Sequence, residues 1–235
     1  MLAYGQALQH PKTQASANLN LGRLYLEAKD PKSALQHLDR GLAEQPNFAL
    51  GYVHRAQALL ALGQLDKARN DLEKAVVIEP QTFEGWMELA KLRGAQRQYR
   101  EALEALAKVR STAVYQAEAT FLAIDYHRQL GQSELAIAEL EALTNSQPYL
   151  GRGFFELGKL LLERNDHREA ERRLRKGLEL EPGHRAGRLD LALSLERSGR
   201  WSLAVPEYEA VVAGAKTDSD PLAQLARQGL ARRPK

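Results

Sequence analysis

The chain has 235 residues, 44% of them hydrophobic, and no cysteine. That much apolar surface excludes general disorder, and the missing thiols exclude a disulfide framework, cysteine metal sites and a cysteine nucleophile. Lysine plus arginine exceed aspartate plus glutamate by 33 − 30 = 3, with the two signs interspersed, so the charge pattern does not announce a nucleic-acid partner.

Alanine, leucine, glutamine, glutamate and arginine dominate while valine, isoleucine and threonine are scarce, which is a helical composition. No run of 18 or more apolar residues exists, so no membrane insertion is expected of this segment. Met1–Gln14 lacks the apolar core and cleavage site of a signal peptide, and the compartment stays open between cytoplasm and periplasm.

In residues 1–14, Tyr4, Ala7 and Pro11 approximate the end of a helix whose preceding partner is missing. From Ala15 onward a fixed period sets in. Alanine recurs every 34 residues at Ala34, Ala68, Ala102, Ala136, Ala170 and Ala204, and four residues after each stand Leu38, Leu72, Leu106, Leu140, Leu174 and Tyr208, on the same helical face. Pro46, Pro80, Pro148 and Pro182 keep the same register and end a helix each time, because proline cannot continue one. Each period reads as two helices of roughly a dozen residues, turned near Asp30-Pro31, Gly63-Gln64, Gln98, Gly131-Gln132, Asn165-Asp166 and Gly199-Arg200.

Residues 15–218 hold six such units, beginning at Ala15, Ala49, Phe83, Ala117, Gly151 and Arg185. Units three and four depart from the pattern: Val114 replaces the terminating proline, Thr120 stands at an aromatic position, and a looser junction is expected over 110–118. In unit five Gly153–Leu160, GFFELGKL, matches a P-loop up to Lys159, but Leu160 cannot ligand magnesium. The same places in other units carry Gly51, Gly85, Gly22 and Ala56, so these glycines read as packing positions inside a helix. Residues 219–235 start with Ser219, Asp220 and Pro221 and space Leu222, Leu225, Ala226 and Leu230 along one face, predicting a terminal covering helix and a short basic tail.

The pattern, with Leu21-Gly22 then Tyr25 in the first unit, Tyr52 and Ala56 in the second, Trp86 with Leu89-Ala90 in the third and Phe154 with Leu157-Gly158 in the fifth, resembles tetratricopeptide repeat proteins. The resemblance implies an all-α, right-handed superhelical solenoid of antiparallel helix pairs. It also implies that residues 1–14 end an earlier repeat, so that further repeats precede Met1 in the natural protein. The family's function sits on the concave face, at about the second, fifth, ninth, twelfth and thirteenth positions of each repeat.

At the fifth position stand Leu19, Val53, Met87, Phe121, Phe155 and Leu189, an apolar ladder that would either meet spaced apolar side chains of a partner or fill the space between helices. The ninth position carries Arg23, Gln57, Lys91, Asp125, Lys159 and Leu193, and the second gives Glu84, Glu118 and Arg152, charges able to set register. The contact centre is expected at Met87, Phe121 and Phe155, with Lys91, Asp125 and Lys159 orienting the partner. The family's carboxylate-clamp subclass needs lysine and asparagine where this chain has Leu19, Arg23, His54, Glu84 and Glu88, so that subclass is disfavoured.

The six histidines lie at different repeat positions without the spacing of a metal pair, and no catalytic motif is present. The expectation is a non-catalytic scaffold without cofactor or metal, holding a peptide or helix of a partner protein. The alternative is a structural spacer or self-associating module of a larger envelope, secretion or multi-domain assembly. The composition looks bacterial.

Overall fold

The computed structural model describes residues 11–110 and 113–234. Thirteen helices and no strands are found among these residues: α1 (Pro11–Glu27), α2 (Pro31–Glu44), α3 (Ala49–Ala61), α4 (Leu65–Ile78), α5 (Phe83–Ala95), α6 (Tyr99–Val109), α7 (Ala113–Gln129), α8 (Ser133–Ser146), α9 (Gly151–Glu163), α10 (His167–Leu180), α11 (Arg185–Arg197), α12 (Trp201–Ala213) and α13 (Pro221–Ala231). The expectation for residues 1–10 lies outside the described residues. α1 includes the four residues ahead of Ala15.

One backbone device repeats at every 34-residue step. The fifteenth residue of each repeat closes its first helix in the left-handed region: Lys29 (φ 59°), Gly63 (73°), Arg97 (61°), Gly131 (71°), Asn165 (64°) and Gly199 (73°). The residue after it donates its N–H to the carbonyl five positions earlier, as from Asp30 to Tyr25 (2.8 Å) and Gln64 to Leu59 (2.9 Å), which satisfies orphan carbonyls at the helix end. The chain then reverses into the second helix within two or three residues, so each pair is antiparallel. Glycine carries this conformation without strain, whereas lysine and arginine carry it at a cost. Replacing Lys29 or Arg97 by glycine is therefore expected to stabilise the chain by about 0.5–1 kcal/mol each, read as a raised urea midpoint, while Gly63→Ala should lower it.

The second helices start with unequal caps. Asp30 accepts from the Ser33 N–H (3.1 Å) and Asp166 from that of Glu169 (3.3 Å), while Gln64, Gln98, Gln132 and Arg200 provide no side-chain cap. Helices α2, α4, α8 and α10 end two residues before Pro46, Pro80, Pro148 and Pro182. Where Val114 replaces the proline the chain is already helical from Ala113. The looser junction expected over 110–118 is thus regular α7 from that residue on, and residues 111–112 lie outside the described ones.

The helices form two compact units divided between Leu130 and Gly131. In the first, α1 to α7 pack each on the next, and the first helices of successive repeats also touch: α1 on α3, α3 on α5, α5 on α7. In the second, α8 to α13 pack in sequence, with α9 on α11 and α11 on α13. The periodic alanines and leucines make the cores: Ala34, Leu38, Ala68, Leu72, Ala170, Leu174 and Ala204 have no exposed surface. Gly153–Leu160 lies wholly inside α9, where a Cβ on Gly158 would stand 2.5 Å from Leu174, so this glycine serves close helix approach and not a phosphate loop. At the end of the second unit Tyr208 replaces the periodic leucine; its hydroxyl donates to Glu196 of α11, and Arg232 after α13 clasps the same carboxylate at 2.7 and 2.9 Å.

Candidate protein-binding face

The first helices line one face of each unit, and the sequence-predicted residues divide there into two kinds. Leu19, Val53, Met87, Phe155 and Leu189 are buried, with exposures from 0% at Val53 to 5% at Leu19, Phe155 and Leu189, and Phe121 is half-buried. The cause is visible at Phe155. Its ring lies over Gly177 of α10 and Gly187 of α11, where an added Cβ would come within 2.6 and 2.3 Å, and it stacks on His184 with ring centroids 3.9 Å apart. Leu19 fills the equivalent place over Gly41 and Gly51. These fifth-position side chains hold neighbouring helices together.

The ninth-position residues are accessible. Arg23 pairs with Glu27 one turn along its own helix. Gln57 donates to Glu84 (3.2 Å), and Lys91 reaches Glu88 (3.3 Å) and Glu118 (3.0 Å). Position nine of one repeat thus meets position two of the next, and the two steps α3/α5 and α5/α7 are spanned by polar contacts. Burial pulls Lys91 down, but its glutamate partners outweigh this and hold the ammonium above its usual value. Asp125 lies exposed on α7 and Lys159 exposed on α9.

Two steps lack such a span and form clefts. Between α1 and α3, where position two is Leu50, a cleft of about 230 Å³ is lined by Leu19, Phe48, Leu50, His54 and Arg23. Burial pulls the His54 imidazole below its ordinary value, Arg23 adding to the effect while Glu84 and Glu27 oppose it. Between α11 and α13 a cleft of about 370 Å³ is lined by Leu189, Leu193, Leu225, Glu196, Arg197 and Arg232.

Asp190 on α11 was not among the sequence-predicted residues. Burial pushes its carboxyl up to about 6, with Glu156 and Glu163 adding repulsion and Lys159 opposing. The folded value lies above the unfolded one, so the folded chain binds more protons between about pH 4 and pH 6 and stability falls as pH rises through that window. Asp190→Asn is expected to raise stability by about 1–2 kcal/mol near pH 7.5 and to add little near pH 4, measured by urea unfolding at both pH values. The sequence signal that could have found it is the stripe Asp190, Leu193, Arg197, spaced i, i+3, i+7 on one helical face.

Several histidines are tied into packing: His184 accepts from the Gly187 N–H (2.9 Å), and His37 stacks on Tyr25 and bonds Asn18 (2.9 Å). Among the described residues no group of three or more histidines or carboxylates is placed to hold a metal ion, and no helix is long and apolar enough to cross a membrane.

Residues 87–149 and 155–221 match one family model described as tetratricopeptide repeat, and residues 26–92 match a second of the same description. The chain belongs to the tetratricopeptide repeat family. This TPR chain is similar in fold to YrrB, described as a TPR protein with an unusual peptide-binding site, with TM-score 0.65 and 16% identity over 81% of this chain and 97% of that one. It is also similar to pilF of Pseudomonas aeruginosa, with TM-score 0.66 and 14% identity over 98% of this chain and all of that one. DnaJ homolog subfamily C member 3 of Mus musculus is 24% identical over 216 residues, 80% of this chain and 43% of that protein. The TPR chain thus spans less than half the length of this curated relative. TPR proteins are in general protein-interaction scaffolds, and this chain fits that role.

Proposed function

We propose that the chain is a non-catalytic scaffold that holds a segment of a partner protein along the first helices of its repeats. The observation that carries this reading is the division of labour on that face. The fifth-position side chains are for the most part consumed by packing, whereas Arg23, Gln57, Lys91, Asp125 and Lys159 remain accessible, and two clefts open on first helices, one of them beside Arg23. A rigid frame carrying such groups loses little ordering entropy on binding. Phe121, the half-buried member of the ladder, would add apolar contact. The peptide-binding site named for YrrB is consistent with this use of the fold.

The test is capture of partners from a lysate by the unmodified chain and by a Leu50→Arg/Lys91→Glu/Leu193→Arg variant, with helix content checked by circular dichroism. A protein retained only by the unmodified chain supports the reading. Equal capture overturns it and moves binding to the outer face. Capture by neither, with mass rising with concentration, favours self-assembly.

A further inference from the structure

The cleft of about 230 Å³ between α1 and α3 has two unlike ends. Leu19 and Phe48 gather at the start of α3, where a Cβ on Gly51 would stand 3.0 and 2.9 Å from them, and with Leu50 they make that end apolar. His54, one helical turn beyond Leu50 on the same face of α3, makes the other end polar. It is only 8% exposed, and among the described residues its ring has no hydrogen-bond partner. A buried polar group left so is uncommon, and it becomes costly once water is shut out. The other polar groups nearby are already engaged. Arg23 is ion-paired to Glu27, Glu84 accepts from the Gln57 amide (3.2 Å), and Gln45 donates to Ser16 (3.5 Å) at the rim. Burial holds the imidazole itself below its ordinary value, so the ring is neutral at pH 7.

We propose that this cleft takes the side chain of a tyrosine from the bound partner segment, with its ring against Leu19, Phe48 and Leu50 and its hydroxyl on the His54 ring. The proposal rests on the scaffold reading above and names the chemistry of one residue of the partner. Leu50 and His54 lie about 6 Å apart along the helix axis, a distance that an aromatic ring bridges when it carries a polar tip. Phenylalanine or leucine would fill the apolar end and exclude water, but would leave His54 without a partner. Serine or threonine could bond the imidazole yet would not cover Phe48, which is 39% exposed. Lysine or glutamate would carry a charge into a cleft whose own ions are held within the chain, at a desolvation cost that nothing there offsets. Tyrosine joins an apolar body to one neutral hydroxyl and so matches both ends.

The test titrates the whole chain, isotope-labelled, with peptides Ser-Gly-X-Gly-Ser capped at both ends, where X is Tyr, Phe, Trp, Leu or Lys. Binding is followed by NMR at the His54 ring Cε1–H, assigned from its loss in His54→Leu. The tyrosine peptide is expected to move that signal saturably and to bind about fivefold tighter than the phenylalanine peptide. In His54→Leu, followed through the backbone amides of Phe48 and Leu50, the phenylalanine peptide should become the tighter of the two. His54→Gln, which keeps a hydrogen-bonding tip, should retain the preference for tyrosine. A reversed preference is a gain that misfolding cannot imitate. An unmoved His54 signal, equal affinities of the tyrosine and phenylalanine peptides, or tighter binding of the tryptophan, leucine or lysine peptide overturns the proposal. If partner capture by the unmodified chain persists and is lost in the Leu50→Arg/Lys91→Glu/Leu193→Arg variant, the scaffold reading survives that failure.

Discussion

Phe155→Ala is expected to destabilise the second unit by about 3–4 kcal/mol. The ring is 5% exposed and fills the space between α10 and α11 over two glycines, with His184 against its other surface. Alanine would leave a cavity that two backbones already at close range cannot collapse to fill. The decisive control is Gly177→Ala. In an ordinary helix that change gains about 1 kcal/mol of propensity. Here the new Cβ would stand 2.6 Å from the ring, so the sign should reverse. Combining Gly177→Ala with Phe155→Leu should recover most of the loss. Urea unfolding followed by circular dichroism reads all four chains, and a stabilising Gly177→Ala would sink this account of the packing.

Arg55→Ala is expected to cost about 3 kcal/mol in the first unit. Arg55 of α3 grips both oxygens of Asp71 on α4 (2.7 Å each) and also reaches Asp39 on α2 (2.9 Å), while lying over the Tyr52 ring at 5.3 Å. Asp71 is 6% exposed, so removing the guanidinium strands a buried carboxylate. The loss belongs mainly to that stranded charge, which yields a second expectation: Arg55→Leu/Asp71→Leu should be much closer to the unmodified chain than Arg55→Ala alone. A double variant as unstable as the single one would mean that the loss comes from packing of the arginine stem and not from charge.

Most of the fold was legible because a 34-residue period constrains many positions at once. Alanine at position twenty and leucine at twenty-four named the core, and glycine at Gly63, Gly131 and Gly199 marked the turns. The same turn geometry at Lys29 and Arg97 was invisible as residue type and followed only from register. The candidate face was less legible. A leucine or phenylalanine at position five looks alike whether it meets a partner or a neighbouring helix. What decides for packing at Phe155 is the pair of glycines 22 and 32 residues later (177 − 155 and 187 − 155), a relation carried by no single motif. The spans Gln57–Glu84 and Lys91–Glu118 likewise depend on which charge stands at position two of the following repeat. Asp190 escaped notice because an acid on a helix surface is ordinarily solvated, and only its burial in the folded chain, with Glu156 and Glu163 nearby, makes this one uncomfortable.

The burial of the fifth-position row also bears on how such a chain can change over generations. Residues that keep the helices together and residues that face outward from the same helix are different residues, four apart in sequence. Substitution at an exposed ninth-position residue such as Arg23, whose ion pair is to Glu27 on its own helix, leaves the joints of the frame untouched, so mutations there stay within a few tenths of a kcal/mol of neutral for folding. A lineage can therefore re-address the surface step by step without passing through unfolded intermediates, and the stability held in reserve at Leu19, Val53 and Phe155 is what tolerates the search.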